Sequence, residues 1–191
     1  AWAYREDVFK EAGAKVPQTY NDLITEGKKL KVYGYPLGQC LGHSFGDPNG
    51  FAYTLLWAFG GAVTDETGKK VTINSQGTRD AVDWMKEAWT AAFDETGLSW
   101  DDGSNNRAYL GDQISATLNG ASIYFVAKRD PSKSVLPNMA ELTNHFANPV
   151  GPTGRRFHTA TNFTSAVMSS TKVRDVADNY VRFINKEENF S

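Results

Sequence analysis

The chain has 191 residues, of which 40% are hydrophobic and 13% aromatic, so it can bury a substantial core. Its formal net charge is −2, with 20 basic and 22 acidic residues, whereas a nucleic-acid-binding surface requires a clustered basic excess. The single cysteine, Cys40, excludes an intramolecular disulfide, and the three histidines match no metal-ligand spacing. We therefore expect no nucleic-acid partner, no bound metal and no other cofactor.

The first quarter of the chain predicts two helices, a strand and a loop. Apolar spacing predicts a short helix over residues 4–12, and Thr19 with Asp22 forms a capping-box pattern at the start of a second helix. Residues 34–43 are predicted to form a strand that leads into a loop over residues 44–50.

The middle of the chain continues this alternation. Residues 51–59 predict a buried helix that ends at two glycines, and residues 62–74 predict a small hairpin. Ser75 is a candidate N-cap for a helix whose apolar positions repeat with helical spacing. A short strand is predicted at residues 115–118, with a new helix after Asn119 and Gly120.

The C-terminal part begins with a linker-like stretch, NPVGPTGRR, at residues 148–156. A strand is predicted at residues 164–170, and a helix over residues 171–188 that turns Val173, Val176 and Tyr180 inward. Because helices and strands alternate throughout, the predicted fold class is α/β.

Residues 42–46 read GHSFG and match the G-x-S-x-G pattern around the nucleophile of many serine hydrolases. That use requires a helix directly after the serine, and we expect Pro48 and Gly50 to prevent it. The loop instead carries His43, Asp47 and other polar groups beside an aromatic residue. Such a set suits a polyol or sugar, which offers many hydroxyl groups and apolar C–H faces.

Two enzymatic alternatives stay open at this point. The first is a serine hydrolase that uses Ser44 with a distant histidine. The second is a glycoside-active enzyme that pairs Asp47 with Asp101 or Asp102, whose carboxyl groups need to lie roughly 5–9.5 Å apart. Nothing in the spacing selects such a pair, and we expect the protein not to be an enzyme.

The order of several short motifs resembles one known family. Residues 4–30, YREDVFKEAGAKVPQTYNDLITEGKKL, are similar to a segment of the family 1 extracellular solute-binding proteins of ABC importers. The helix, double glycine and hairpin at residues 55–74, the segment GDQISATLNGAS at residues 111–122 and the linker at residues 148–156 follow in the family's order. Gln113-Ile114-Ser115 departs from the Ala-Met usual there.

The resemblance implies a two-lobed fold like the type II periplasmic binding proteins, which closes on a ligand at a hinge. Full members are about twice this length, so we expect a fragment. Residues 1–148 are expected to form mainly the second lobe, and residues 149–191 to cross back to the first. The implied function is high-affinity binding of a small extracellular solute of the carbohydrate class by a monomer. The implied partner is the membrane permease of an ABC transporter, and the implied location is periplasmic or extracellular.

The candidate ligand-binding residues combine both lines of reasoning. Ligands bind at strand ends and helix starts, which predicts contacts in the loop before residue 51 and at Asn119. The resemblance implies a further contact at Ser122 and a second crossover between the lobes at residues 161–162. Trp57 ends the predicted helix, where core packing is the alternative role. The predicted ligand-binding residues are His43, Asp47, Asn49, Phe51, Trp57, Asn119, Ser122, Tyr124, Thr161 and Asn162.

Overall fold

The computed structural model of the protein describes residues 1–160 and 164–189, which form two compact units, Ala1–Thr159 and Ala160–Ser191. Residues 149–159 pack within the first unit. In this segment Val150 N donates to Gln18 O at 2.8 Å, and Thr153 Oγ1 donates to Ala58 O at 3.0 Å. The linker-like composition therefore belongs to a packed segment.

The first unit contains three strands and most of the helices. The strands are β1 (Trp2–Arg5), β2 (Ala116–Leu118) and β3 (Thr143–Phe146). The helices are α1 (Glu6–Glu11), α2 (Tyr20–Tyr33), α3 (Asp47–Ala58), α4 (Gln76–Ala92), α5 (Ser104–Leu110), α6 (Ser122–Arg129) and α7 (Met139–Leu142). Short 3₁₀ turns lie at Glu95–Ser99 and Pro131–Lys133. The second unit contains α8 (Arg174–Ile184) and a 3₁₀ turn at Glu187–Asn189.

The sheet is built around β1, which pairs antiparallel with β2 on one side and with β3 on the other. Sequence analysis missed β1 because all four of its residues are buried, so the strand has no polar and apolar alternation. The predicted strand over residues 34–43 is reduced to an extended segment around Leu37. This residue pairs in parallel with Ala116 and with Phe93, and so continues the sheet beyond β2.

An aromatic core covers one face of β1. The ring of Trp2 stacks on Phe146 with centroids 5.8 Å apart and meets Phe51 edge-on at 6.2 Å. Outside this layer α2 crosses α4 at short range, because a Cβ on Gly27 would lie only 2.6 Å from the Cβ of Ala92. These contacts make α3, α4 and the sheet one packed body, which is the scaffold for the site described below.

The predicted start is confirmed for two helices, α2 and α4, and is wrong for α3. Thr19 and Asp22 form the capping box of α2, and Ser75 accepts a hydrogen bond from Thr78 N at the start of α4. By contrast, α3 begins at Asp47, before the predicted start at residue 51. Pro48 occupies its first turn, where the missing N–H of proline costs no helical hydrogen bond.

The second unit only partly follows the prediction. A helix is present as α8, but residues 164–170 form no strand, and Val173, Val176 and Tyr180 are exposed instead of inward. A strand requires a neighbour that supplies hydrogen bonds, and no neighbouring strand pairs with this segment in the described residues. Within residues 1–160 and 164–189, no helix combines the length and hydropathy needed to cross a bilayer.

Candidate functional site

A cluster of polar side chains lies at the N-terminal end of α3. The carboxylate of Asp47 accepts hydrogen bonds from Asn105 Nδ2 at 2.8 Å and from Asn119 Nδ2 at 3.4 Å. The carboxylate of Asp102 accepts one from the backbone N–H of Asp47 at 3.0 Å and one from Ser44 Oγ at 3.2 Å. We call Ser44, Asp47, Asp102, Asn105 and Asn119 the α3 polar cluster. Its members come from two loops, from α3 and α5, and from the residue after β2.

Asp102 acts as a long-range cap for α3. The N-cap position of this helix is Gly46, which has no side chain to accept a hydrogen bond and has a φ of 122°. A Cβ at this position would lie 2.7 Å from Asp102 Oδ2, so any other residue would displace the carboxylate. The negative charge also interacts favourably with the positive end of the helix dipole. Gly46 therefore leaves the space that Asp102 occupies.

Asn119 joins the end of β2 to the start of α6. Its Oδ1 accepts hydrogen bonds from Gly120 N at 2.6 Å and from Ser122 Oγ at 3.4 Å, and its Nδ2 donates to Asn106 Oδ1 as well as to Asp47. Ser122 is exposed and is the first residue of α6. The first N–H groups of a helix have no partner within the helix, so the start of α6 offers hydrogen-bond donors next to Asn119.

The carboxylate of Asp47 is partly buried and therefore partly dehydrated. Burial raises the pKa of Asp47 above its ordinary value; the hydrogen bond from Asn105 lowers this pKa, and the nearby charge of Asp102 raises it. The net direction is upward. A carboxylate in this position is a strong acceptor for a ligand hydroxyl group, because hydrogen bonds to charged groups are stronger than those between neutral groups.

One side of α3 carries an aromatic pair. Tyr53 and Trp57 stack with centroids 5.5 Å apart and ring planes 23° from parallel, and Tyr53 is 40% exposed. Asn49 lies one helical turn before Tyr53, and the ring centroids of Phe157 and Trp57 are 6.4 Å apart. We call Tyr53 and Trp57 the α3 aromatic pair. Sequence analysis missed Tyr53, although the spacing of Asn49, Tyr53 and Trp57 by four residues places them on one side of a helix.

The structure brings some predicted residues together. Asp47, Asn119 and Ser122 form one hydrogen-bonded group. Asn49 lies in the first turn of α3, half-buried, and His43 is exposed in the loop before this helix.

Other predicted residues lie elsewhere. Phe51 is only 2% exposed and packs on Trp2 and Phe93, so the prediction that its ring stacks on a ligand is wrong. The physical reason is helical geometry, since Phe51 lies with the buried Leu55 on the side of α3 that faces Trp2 and Phe93. The Tyr124 ring contacts His145 at 6.2 Å and forms no part of the α3 polar cluster. Thr161 and Asn162 lie outside the described residues.

Ser44 forms no hydrogen bond with a histidine in the part of the chain that the structure describes. Its hydroxyl donates to Asp102, and its other side-chain neighbour is Cys40 Sγ at 3.6 Å. The sequence argument against a nucleophile was wrong in one respect, because Pro48 and Gly50 do not prevent a helix. The structural argument is different: the segment before Ser44 is not a strand, and the hydroxyl is engaged by the carboxylate that caps α3.

We expect Ser44→Ala to leave any esterase background of the protein unchanged, because no histidine among the described residues is hydrogen-bonded to the hydroxyl to activate it. Hydrolysis of a chromogenic ester by the wild type and the variant measures this. Stoichiometric labelling of Ser44 by a fluorophosphonate would contradict the assignment of this residue to a structural role.

The whole sequence, residues 1–191, matches the model of a family described as bacterial extracellular solute-binding protein. No curated protein matches the sequence. Among solved structures, maltose-bound MalE3 of T. maritima superposes with a TM-score of 0.77 at 21% identity, over 98% of this chain and 48% of that one. A ribitol complex from Agrobacterium radiobacter K84 superposes with 0.80 at 18% identity, over 98% and 47%.

A D-mannitol complex from Agrobacterium vitis S4 superposes with a TM-score of 0.74 at 14% identity, over 98% of this chain and 45% of that one. The chain thus spans about half the length of these structures. At such identities the superpositions establish the fold, which is that of part of a type II periplasmic binding protein and confirms the expected α/β class. Because the family match covers every residue, the chain belongs to the bacterial extracellular solute-binding proteins.

Proposed function

We propose that this chain supplies one wall of a binding site for a small carbohydrate or polyol. The observation that carries the proposal is the position of the α3 aromatic pair on the helix whose N-terminal end meets the α3 polar cluster. A sugar presents apolar C–H faces, which stack on rings, and hydroxyl groups, which need paired donors and acceptors. Tyr53 and Trp57 offer the rings, Asp47 offers the acceptor, and Ser122 with the start of α6 offers donors.

The similar structures support this choice of ligand class. Their descriptions name maltose, ribitol and D-mannitol as the bound molecules. These ligands share many neutral hydroxyl groups and differ in size and ring form, which fits a wall built from rings and short polar side chains. The proposed role is to bind the solute as a monomer in the periplasm or outside the cell. Closure of two lobes would then deliver it to the membrane permease of an ABC transporter.

The geometry favours binding over glycoside chemistry. Asp47 is held by two amide groups, and Asp102 is held by the start of α3 and by Ser44. Both carboxylates therefore have structural partners, whereas a general acid must be free to give its proton to the substrate. The family match points in the same direction, since the family is one of binding proteins.

We expect Trp57→Ala in the full-length protein to weaken binding of its sugar or polyol by roughly 10- to 100-fold. The reason is that covering one aromatic ring contributes about 1.5–3 kcal/mol, and 1.4 kcal/mol corresponds to one decade of affinity. Mass spectrometry of small molecules released on denaturation, followed by a thermal-shift panel of sugars and polyols, identifies the ligand. Calorimetry then measures both proteins.

Trp89→Ala is the matched control. Trp89 is partly buried and stacks on Phe93 with centroids 5.9 Å apart, away from the α3 aromatic pair. This variant should unfold more easily and keep the affinity of the folded fraction. A loss of affinity in Trp89→Ala with none in Trp57→Ala would show that the site lies on another side of the unit.

A further inference from the structure

Asn105 is the member of the α3 polar cluster that lies in α5, and it is fully buried. Its Nδ2 donates to Asp47 Oδ2 at 2.8 Å and to Thr117 Oγ1 at 3.3 Å. We propose that Asn105 is a positioning residue, which does not touch the solute but holds the Asp47 carboxylate in the orientation that accepts a hydrogen bond from it. This inference rests on the proposed function, because it requires Asp47 to accept a hydrogen bond from the ligand.

The amide of Asn105 can hold Asp47 in only one orientation. Reversing the amide would place Oδ1 against the Asp47 carboxylate, where two acceptors would face each other without a hydrogen. In the observed orientation Oδ1 accepts no hydrogen bond from any group in the described residues. An unpaired buried acceptor is unfavourable, so the two bonds of Nδ2 outweigh that penalty. The observed orientation of the Asn105 amide therefore favours the hydrogen bond to Asp47 over pairing of its own oxygen.

Asp47 depends on this donor more than on its other partner. Asn119 reaches the same oxygen only at 3.4 Å and also donates to Asn106. The neighbouring charge that acts on Asp47 is Asp102, in the loop before α5, and it opposes ionisation as burial does. Asn105 is therefore the group that counteracts both effects. Without its hydrogen bond the pKa of Asp47 would rise further, and the carboxylate would lose the donor that fixes its orientation.

The test uses Asn105→Leu in the full-length protein, since leucine has a similar volume and no donor. A carbon-13 NMR titration of labelled aspartate carboxyl groups, assigned with Asp47→Asn, reports the pKa of Asp47 without ligand. We expect the pKa of Asp47 to be higher in Asn105→Leu than in the wild type. Affinity for the sugar or polyol identified above should fall roughly tenfold at neutral pH, which is the scale of one charge-assisted hydrogen bond.

Thr117→Val is the matched control, because it removes the other partner of Asn105 and leaves the bond to Asp47 in place. Thr117 is fully buried, so this variant should lose stability while the pKa of Asp47 and the affinity stay as in the wild type. If Asn105→Leu fails to fold, Asn105→Ser takes its place, because a serine hydroxyl is too short to reach Asp47.

The possible outcomes separate the two proposals. An unchanged pKa of Asp47 in a folded Asn105 variant overturns the inference. A shifted pKa with unchanged affinity also overturns it, while the proposed function stands. A wild-type protein that binds no sugar or polyol contradicts the proposed function itself. Equal shifts in Asn105→Leu and Thr117→Val would assign both effects to general loosening of the core and would overturn the positioning role.

Discussion

Phe51→Ala is expected to lower the free energy of unfolding by about 3–5 kcal/mol, the range found when a buried phenylalanine is truncated in a packed core. Phe51 is 2% exposed, and its ring meets those of Trp2 and Phe93 edge-on at 6.2 and 6.0 Å. Truncation removes both contacts and leaves a cavity between α3 and β1. Denaturant unfolding of the full-length protein, followed by tryptophan fluorescence, measures the effect.

Phe45→Ala is the control for this change. The Phe45 ring lies in the loop before α3 and is 86% exposed, so its loss should alter the free energy of unfolding by less than about 0.5 kcal/mol. Ligand affinity of the folded Phe51→Ala protein should remain close to that of the wild type. If Phe51→Ala instead lost affinity while keeping its stability, the core position of this ring would be refuted.

Arg5→Leu is expected to destabilise the protein by about 3 kcal/mol at neutral pH, because it leaves two carboxylates without their cation. Arg5 is 3% exposed and bonds to both Asp7 and Asp112, with 2.6 Å between Arg5 Nη2 and Asp7 Oδ2. The guanidinium thus joins the end of β1 to the turn after α5. Denaturant unfolding of both proteins at neutral pH gives the difference.

The cost of Arg5→Leu should shrink in acid. Burial tends to raise the pKa of Asp7, but the hydrogen bonds and charge of Arg5 outweigh it, so this pKa lies below its ordinary value of 3.8. A depressed folded-state pKa stabilises the protein above 3.8, and this stabilisation disappears as the pH falls through the folded-state pKa. The difference between wild type and Arg5→Leu should therefore be smaller at about pH 3 than at pH 7.

Arg107→Leu provides the matched comparison on the surface. Arg107 pairs with Asp101 at 2.8 Å, but both side chains are about two-thirds exposed. An exposed pair contributes at most about 1 kcal/mol, so this variant should stay near wild-type stability at both pH values. An equal loss in the two arginine variants would mean that the pairs of Arg5 do not differ from an ordinary surface ion pair.

Local features were predictable because their causes lie within a few residues of one another. The capping box of α2 needs only Thr19 and Asp22, and the hairpin at residues 62–74 needs only its own turn, where Asp65 N donates to Lys70 O at 2.9 Å. The strand before Asn119 and the helix after it were likewise visible in the sequence. The order of these short motifs along the chain was also the basis of the resemblance to the solute-binding family.

Features that depend on distant residues were not predictable in this way. The start of α3 was predicted four residues too late, because its cap is Asp102, 55 positions later in the chain, although Asp47 and Pro48 suit the first turn of a helix. The role of Phe51 was predicted wrongly for a similar reason. Its polar neighbours suggested a ligand site, and only the rings of Trp2 and Phe93 show that it faces the core.

Sequence reasoning alone established the α/β class, two helix caps and the solute-binding family. The tertiary structure decided which side of α3 is buried, and it revealed Tyr53 and Asn105 as parts of the site. The physical reason is the separation along the chain between the residues that interact. Caps and turns are satisfied by hydrogen bonds between near neighbours in the chain, whereas burial and the pairing of Asn105 with Asp47 exist only after α3 and α5 have packed on the sheet.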